Sequence, residues 1–202
     1  MEQFCREVLG LTDAQLIRAV AALSRREAVK KGELLFRAGE RRDELYFLES
    51  GLVCGMILDA DGQAITDCIA FLPGDPIIPE NLSDRLLSPD DVPPSDVPAY
   101  YFAEVLEDSA LFQLPVTAVI EQLYGYPEVM QLQNRLLIGW TERHWQLKLA
   151  KQQMPALERY QWFLKQYPGL AGRLPDRYIA SFLGMKPVTL SRLRHSLRAG
   201  QA

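Results

Sequence analysis

Nine side chains near the C-terminus, Arg177, Lys186, Val188, Thr189, Ser191, Arg192, Arg194, His195 and Arg198, combine the donors and apolar surface that a nucleic-acid duplex can use. A guanidinium at Arg192 can donate to guanine O6 and N7 together, a pairing worth about 1–3 kcal/mol of discrimination. Val188 offers a methyl surface suited to thymine, Thr189 and Ser191 can bond phosphate or base, and Lys186, Arg177, Arg194 and Arg198 can neutralise phosphate. His195 is read as DNA-proximal or simply exposed. The plainer reading of Arg192, Arg194 and Arg198 is the solvated face of a C-terminal helix.

Such chemistry needs two helices at a fixed crossing, and the sequence supplies the punctuation for them. Pro175 suits a first helical turn, Ile179, Ala180 and Leu183 form an inner face, and Gly184 can take the left-handed conformation that closes the helix. A second helix opens at Pro187 with Leu190, Leu193 and Leu197 pointing inward. Ala180 is small where the two would cross, as a helix-turn-helix requires. An amphipathic stretch from Leu157 to Tyr167, ended by Pro168-Gly169, precedes it.

Charge is divided in the same sense. Residues 143–202 carry 11 Lys+Arg against 2 Asp+Glu, a balance of +9, whereas residues 1–142 carry 11 against 24, a balance of -13. A cationic segment that keeps apolar periodicity is the footprint of a module that meets phosphate.

The acidic part has another texture. Phe4, Val8, Leu9, Leu11, Leu16, Ile17 and Val20 predict short helices between Gln3 and Ala22, with Thr12-Asp13 as a cap between them. From Val29 short β-favouring runs follow: Leu34 to Phe36, Leu45 to Leu48, Leu52 to Leu58, Ala64 to Phe71, Tyr100 to Leu106 and Ala110 to Leu114. Turn signals at Gly32, Gly39, Gly51, Asp61-Gly62 and Pro73-Gly74-Asp75 separate most of them, predicting a small antiparallel roll or jelly roll. The Pro- and Asp-rich stretch between Ile77 and Pro98 predicts a long loop, either the mouth of a pocket or a floppy excursion.

A short helix over Val116 to Tyr124 leads into a long one ending near Gln153, too long at about 39 Å to be covered by one small roll. Its stripe of Val129, Leu132, Leu136, Trp140 and Leu147 predicts a dimer seam, the alternative being packing on its own roll. His144 reads as a polar residue of that helix.

Other classes find little support. The three cysteines, Cys5, Cys54 and Cys68, have no metal-site or disulfide spacing. No nucleophile stands beside a base and no glycine loop is built for phosphate, so an enzyme is not expected. No run reaches the roughly 18 apolar residues of a membrane span, and the N-terminus lacks a secretory layout, giving a cytoplasmic expectation.

The whole chain resembles the Crp/Fnr family of bacterial transcription regulators. The matching residues in the roll are Lys31 to Gly39, Tyr46 to Val53, Pro73-Gly74-Asp75 and Glu104 to Ser109, and in the tail Ile179 to Gly184 followed by Thr189 to Arg192. The resemblance implies an α+β fold: an antiparallel β-roll of the cyclic-nucleotide-binding type with flanking helices (residues 1–126), a long dimerisation helix (127–153) and a helix-turn-helix domain (154–202). The chain ends just after the second helix, so the usual β-wing is expected to be absent. By the same resemblance, the effector pocket falls near Gly74, Asp75, Glu80 and Ser95. Because Pro94-Ser95 stands where cyclic-AMP binders carry a phosphate-binding arginine, cyclic AMP is not the expected effector. Val188 stands where the best-known members have a glutamate, so their operator is not carried over. A cluster of N-terminal cysteines for iron–sulfur and a histidine in the roll for haem are both missing, and no cofactor is expected. The implied partners are double-stranded DNA, a second copy of the chain, RNA polymerase and an unidentified small-molecule effector, with no membrane. The competing reading is a ligand-binding or protein-interaction regulatory module without DNA binding, its basic tail serving an acidic protein.

Overall fold

The structure, a computed structural model, describes residues 1–40, 42–79 and 101–199, with side chains through 197. It divides into two compact units, residues 1–136 and 137–202, the boundary falling inside the long helix rather than at either of its ends.

Unit 1 begins with helices α1 (Glu2–Glu7) and α2 (Ala14–Leu23). Asp13 caps α2, its carboxylate accepting from the backbone N–H of Gln15 and Leu16 at 2.7 and 2.9 Å. The strands are β1 (Arg25–Val29), β2 (Leu34–Phe36), β3 (Glu44–Leu58), β4 (Ala64–Ala70), β5 (Pro76–Ile77) and β6 (Tyr101–Pro115). They form one antiparallel sheet around a β3–β6 spine paired from Glu44↔Pro115 to Ile57↔Tyr101. β1 and β2 take opposite ends of β6, and β5 and β4 opposite ends of β3. The sheet is thus an open roll among the described residues, not a closed barrel.

Two runs expected as separate strands, 45–48 and 52–58, are one strand. The Gly51 signal marks a bulge, with the register slipping between Leu48 and Val53. Gly51 has φ +109°, and a Cβ there would lie 2.1 Å from Ser109 Oγ. Ser109 occupies that space because its hydroxyl accepts from Leu52 N–H at 3.1 Å and donates to the Glu107 carbonyl at 2.7 Å.

The spine is buried on both faces, which explains its near-continuous apolar runs. Tyr46, Leu48 and Leu111 point into a core inside the roll with Phe36, Val53 and Val105. The intervening Phe47 and Phe112 point the other way, into a second core with Phe4, Leu16, Ile17 and Leu123. Helix α3 (Val116–Leu123) closes that second core. Helix α4 (Pro127–Gln153) follows, and α5 (Ala156–Gln166), α6 (Leu170–Arg173), α7 (Asp176–Phe182) and α8 (Pro187–Ala199) complete the chain. Strands β1 and β5 and the one-turn α6 are the elements with no counterpart in the sequence expectation. Among the described residues no helix is long and apolar enough to cross a membrane, and no three His, Cys, Asp or Glu side chains are grouped to hold a metal ion.

Candidate nucleic-acid interface

Unit 2 is built on an aromatic centre. Phe163 lies 5.2 Å from Tyr167 and 6.1 Å from Phe182, ring centre to ring centre, and Leu170, Ile179, Ala180, Leu183 and Leu190 are fully buried. This core fixes α7 against α8.

The connection between them is a Schellman turn. Met185 N–H donates to the Ala180 carbonyl at 2.9 Å and Gly184 N–H to Ser181 at 3.0 Å, with Gly184 at φ +63°. Arg159 ties the turn down from outside, Nη1 donating to the Leu183 carbonyl at 2.9 Å and reaching the Lys151 carbonyl at 3.4 Å. The last carbonyls of two helices, α4 and α7, thereby share one cation.

Helix α8 is two-faced. Leu190, Leu193, Arg194 and Leu197 lie on the inner side, and Val188, Ser191, Arg192 and His195, spaced i, i+3, i+4 and i+7, form an exposed outer stripe. Val188 is 54% exposed and presents its two methyl groups to solvent. Lys186 is exposed in the turn just before the stripe and Thr189 is half-buried beside it. Arg192 makes no hydrogen bond or ion pair among the described residues. Arg177 is exposed but folds over Tyr178, its Nη2 donating to the Tyr178 hydroxyl at 2.8 Å. The Arg198 side chain lies outside the described residues.

Arg194 departs from the expectation of a phosphate contact. Its guanidinium turns into the unit, with Nη1 2.5 Å from Asp176, Nη2 donating to the Ala171 carbonyl at 2.8 Å and Nε donating to the Tyr160 hydroxyl at 3.0 Å. The i, i+4 relation to the buried Leu190 was the signal for this orientation.

The long helix also divides differently from its expected stripe. Val129, Leu132 and Leu136 pack on the α1–α2 core of their own unit, and Leu147 is buried in unit 2. Only Trp140 of the five seam positions is exposed. A different face of α4 carries Met130, Leu137, Ile138 and Trp145, all exposed, with Ile138 at 70%.

Of the four effector-pocket positions, Glu80 and Ser95 lie outside the described residues. Gly74 and Asp75 form a turn pinned to β3: Gly74 N–H donates to the Leu48 carbonyl at 2.8 Å, and Leu48 N–H donates to the Asp75 carbonyl at 3.0 Å. The Asp75 carboxylate accepts from Phe71 and Leu72 N–H at 3.0 and 2.9 Å. These contacts give both residues a structural role.

No family model matches the sequence, and no curated protein sequence matches it. Solved structures do. A protein assigned to the Crp/Fnr family of transcriptional regulators, from Eubacterium rectale ATCC 33656, superposes with a TM-score of 0.69 at 17% identity, over 94% of this chain and 85% of that one. FixK2 from Bradyrhizobium japonicum gives a TM-score of 0.68 at 18% identity over 88% and 86%. The c-di-GMP responsive global regulator CLP from Xanthomonas campestris gives 0.67 at 16% identity over 94% and 93%.

Proposed function

From the premise that this chain has the fold of the Crp/Fnr regulators, we propose that it is a DNA-binding transcription regulator acting as a homodimer, with α8 as the recognition helix. The observation that carries the reading is the outer stripe of α8. Val188, Ser191, Arg192 and His195 are exposed on a helix whose pose is set by a buried inner face and a closed turn. A helix held in this way can lay its first turns in the major groove, where Arg192 meets base edges while Lys186 and Arg177 meet phosphate. The excess of positive charge in residues 143–202 supports the same docking.

The exposed apolar face of α4 supports pairing with a second copy, which sets two recognition helices for neighbouring turns of a duplex. This seam uses Met130, Leu137, Ile138 and Trp145, with Trp140 at its margin. Unit 1 is then the regulatory part, responding to an unassigned effector or acting as a scaffold. A cytoplasmic place of action and RNA polymerase as protein partner follow from this role.

The test is fluorescence anisotropy of the full chain with genomic duplex fragments at about 50 and 200 mM salt. Binding that weakens steeply between the two is expected, since each phosphate contact releases counterion. Negligible binding at the lower salt refutes the proposal.

A further inference from the structure

We propose that Arg194 is the positioning residue of the recognition helix: it holds α8 in its reading pose instead of touching DNA. The inference rests on the reading of α8 as the recognition helix, and it is carried by one side chain that joins three elements to a fourth. Its Nε reaches Tyr160 of α5, its Nη2 the Ala171 carbonyl of α6, and its Nη1 the first residue of α7, Asp176. The guanidinium carbon also sits 5.8 Å from the centre of the Tyr160 ring. The arginine side chain is only 20% exposed, and Tyr160 is buried at 4%.

Geometry ties this anchor to readout. Residues two apart on a helix point about 200° apart around its axis, so holding Arg194 inward directs Arg192 outward. Leu190 is buried and Leu193 and Leu197 also face inward, but apolar contacts are non-directional and fix the rotation of a helix about its axis less sharply than a hydrogen-bonded fork. The planar fork of Arg194, satisfied in three directions, removes that freedom. Asp176 adds a carboxylate at the start of α7, where the helix dipole favours it. An ammonium has neither the reach nor the planar geometry to meet all three partners, so lysine keeps the charge but not the anchor.

Arg194→Lys and Tyr160→Phe in the full chain separate the two roles. Binding is measured on a duplex selected for tight binding and on its scrambled counterpart, and backbone hydrogen exchange is followed over residues 187–197. Both variants are expected to lose preference for the selected duplex severalfold, to bind the scrambled one as the parent does, and to exchange faster along α8. Asp176→Ala supplies a test of sign: removing a negative charge tightens a purely electrostatic contact with DNA, whereas loss of the anchor weakens selective binding. The proposal is overturned if Arg194→Lys and Tyr160→Phe retain full preference with unchanged exchange, or if Asp176→Ala binds the selected duplex more tightly. Should the parent chain bind neither duplex, the proposed function fails on its own, and the exchange measurement alone decides the anchor: faster exchange upholds it and unchanged exchange removes it.

Discussion

Lys186, in the turn just before α8, and Arg192, within α8, are both exposed cations, yet their expected contributions differ in kind. A guanidinium against guanine discriminates, so Arg192→Ala is expected to weaken the preferred duplex by about 1–3 kcal/mol and a scrambled one little. An ammonium against phosphate does not discriminate. Lys186→Ala should therefore weaken both duplexes alike and reduce the slope of log affinity against log salt by about 1. Anisotropy titrations across salt distinguish them, and equal losses on both duplexes for Arg192→Ala count against its reading role. Gly51 supports the fold rather than the interface. Alanine there meets an unfavourable positive φ, costing about 1–3 kcal/mol, and collides with Ser109, adding about 1–3 kcal/mol of overpacking. Gly51→Ala is expected to lower the melting temperature on the order of 10 °C. Ser109→Ala does not rescue it, because the added Cβ also lies 2.7 Å from the Ser109 Cα.

Helices α1 and α2 are tied to α4 by two polar contacts of the connector between them. The Glu128 carboxylate accepts from the Thr12 hydroxyl, from Thr12 N–H at 2.8 Å and from Asp13 N–H at 3.2 Å, and Arg135 donates to the Leu9 carbonyl. The Thr12 hydroxyl foremost, then the two backbone N–H groups, hold the Glu128 carboxyl below the ordinary glutamate range. A carboxyl whose folded value is depressed stabilises the fold above its unfolded value, and that contribution disappears as pH falls through the folded one. Melting curves of the parent and Glu128→Gln should therefore differ at neutral pH and converge in acid; a constant offset argues against the contact. This clamp was not legible in the sequence, because it joins residues over a hundred positions apart with no periodic signal. The elements themselves were more legible. The helix-turn-helix followed from Pro175, Gly184 and Pro187, each needed for its backbone geometry, and the inner face of α8 from its leucines. Arg194 was grouped with the outward cations because side-chain type outweighed position, whereas the structure turns its guanidinium inward, as its spacing from Leu190 indicates. Strand β1 stayed hidden since Arg25-Arg26-Glu27 shows no alternation, being an edge strand with only Val29 buried. Gly51 read as a turn because a left-handed glycine serves a bulge equally well. Within the proposed pocket, Glu80 and Ser95 lie outside the described residues, so the structure places only Gly74 and Asp75.

At the scale of the whole molecule, the proposed function asks a 13-residue helix, α8, to read few base pairs, and assigns the rest of the affinity to a second copy. The two apolar stripes of α4 give this opposite consequences under mutation. Val129, Leu132 and Leu136 are already covered by their own unit, whereas Met130, Leu137, Ile138 and Trp145 are exposed. Their seven- and eight-residue spacing matches the drift of a helix face that meets a second helix. A carboxylate at Ile138 would be desolvated only in a pair, so Ile138→Glu should yield a folded single subunit in sedimentation, with the melting behaviour of unit 1 kept. Leu132→Glu should instead disrupt the α1–α2 core of unit 1, where it is partly buried, and lower thermal stability. Loss of the pair removes the second binding event, and linked sites typically exceed single ones by about 10²–10⁴ in affinity. Ile138→Glu is accordingly expected to lose most of its binding to a two-half-site duplex and little to a single half-site. A parent chain sedimenting as one subunit with and without duplex, or an Ile138→Glu variant that still pairs, removes this face as the seam and leaves each recognition helix to act alone.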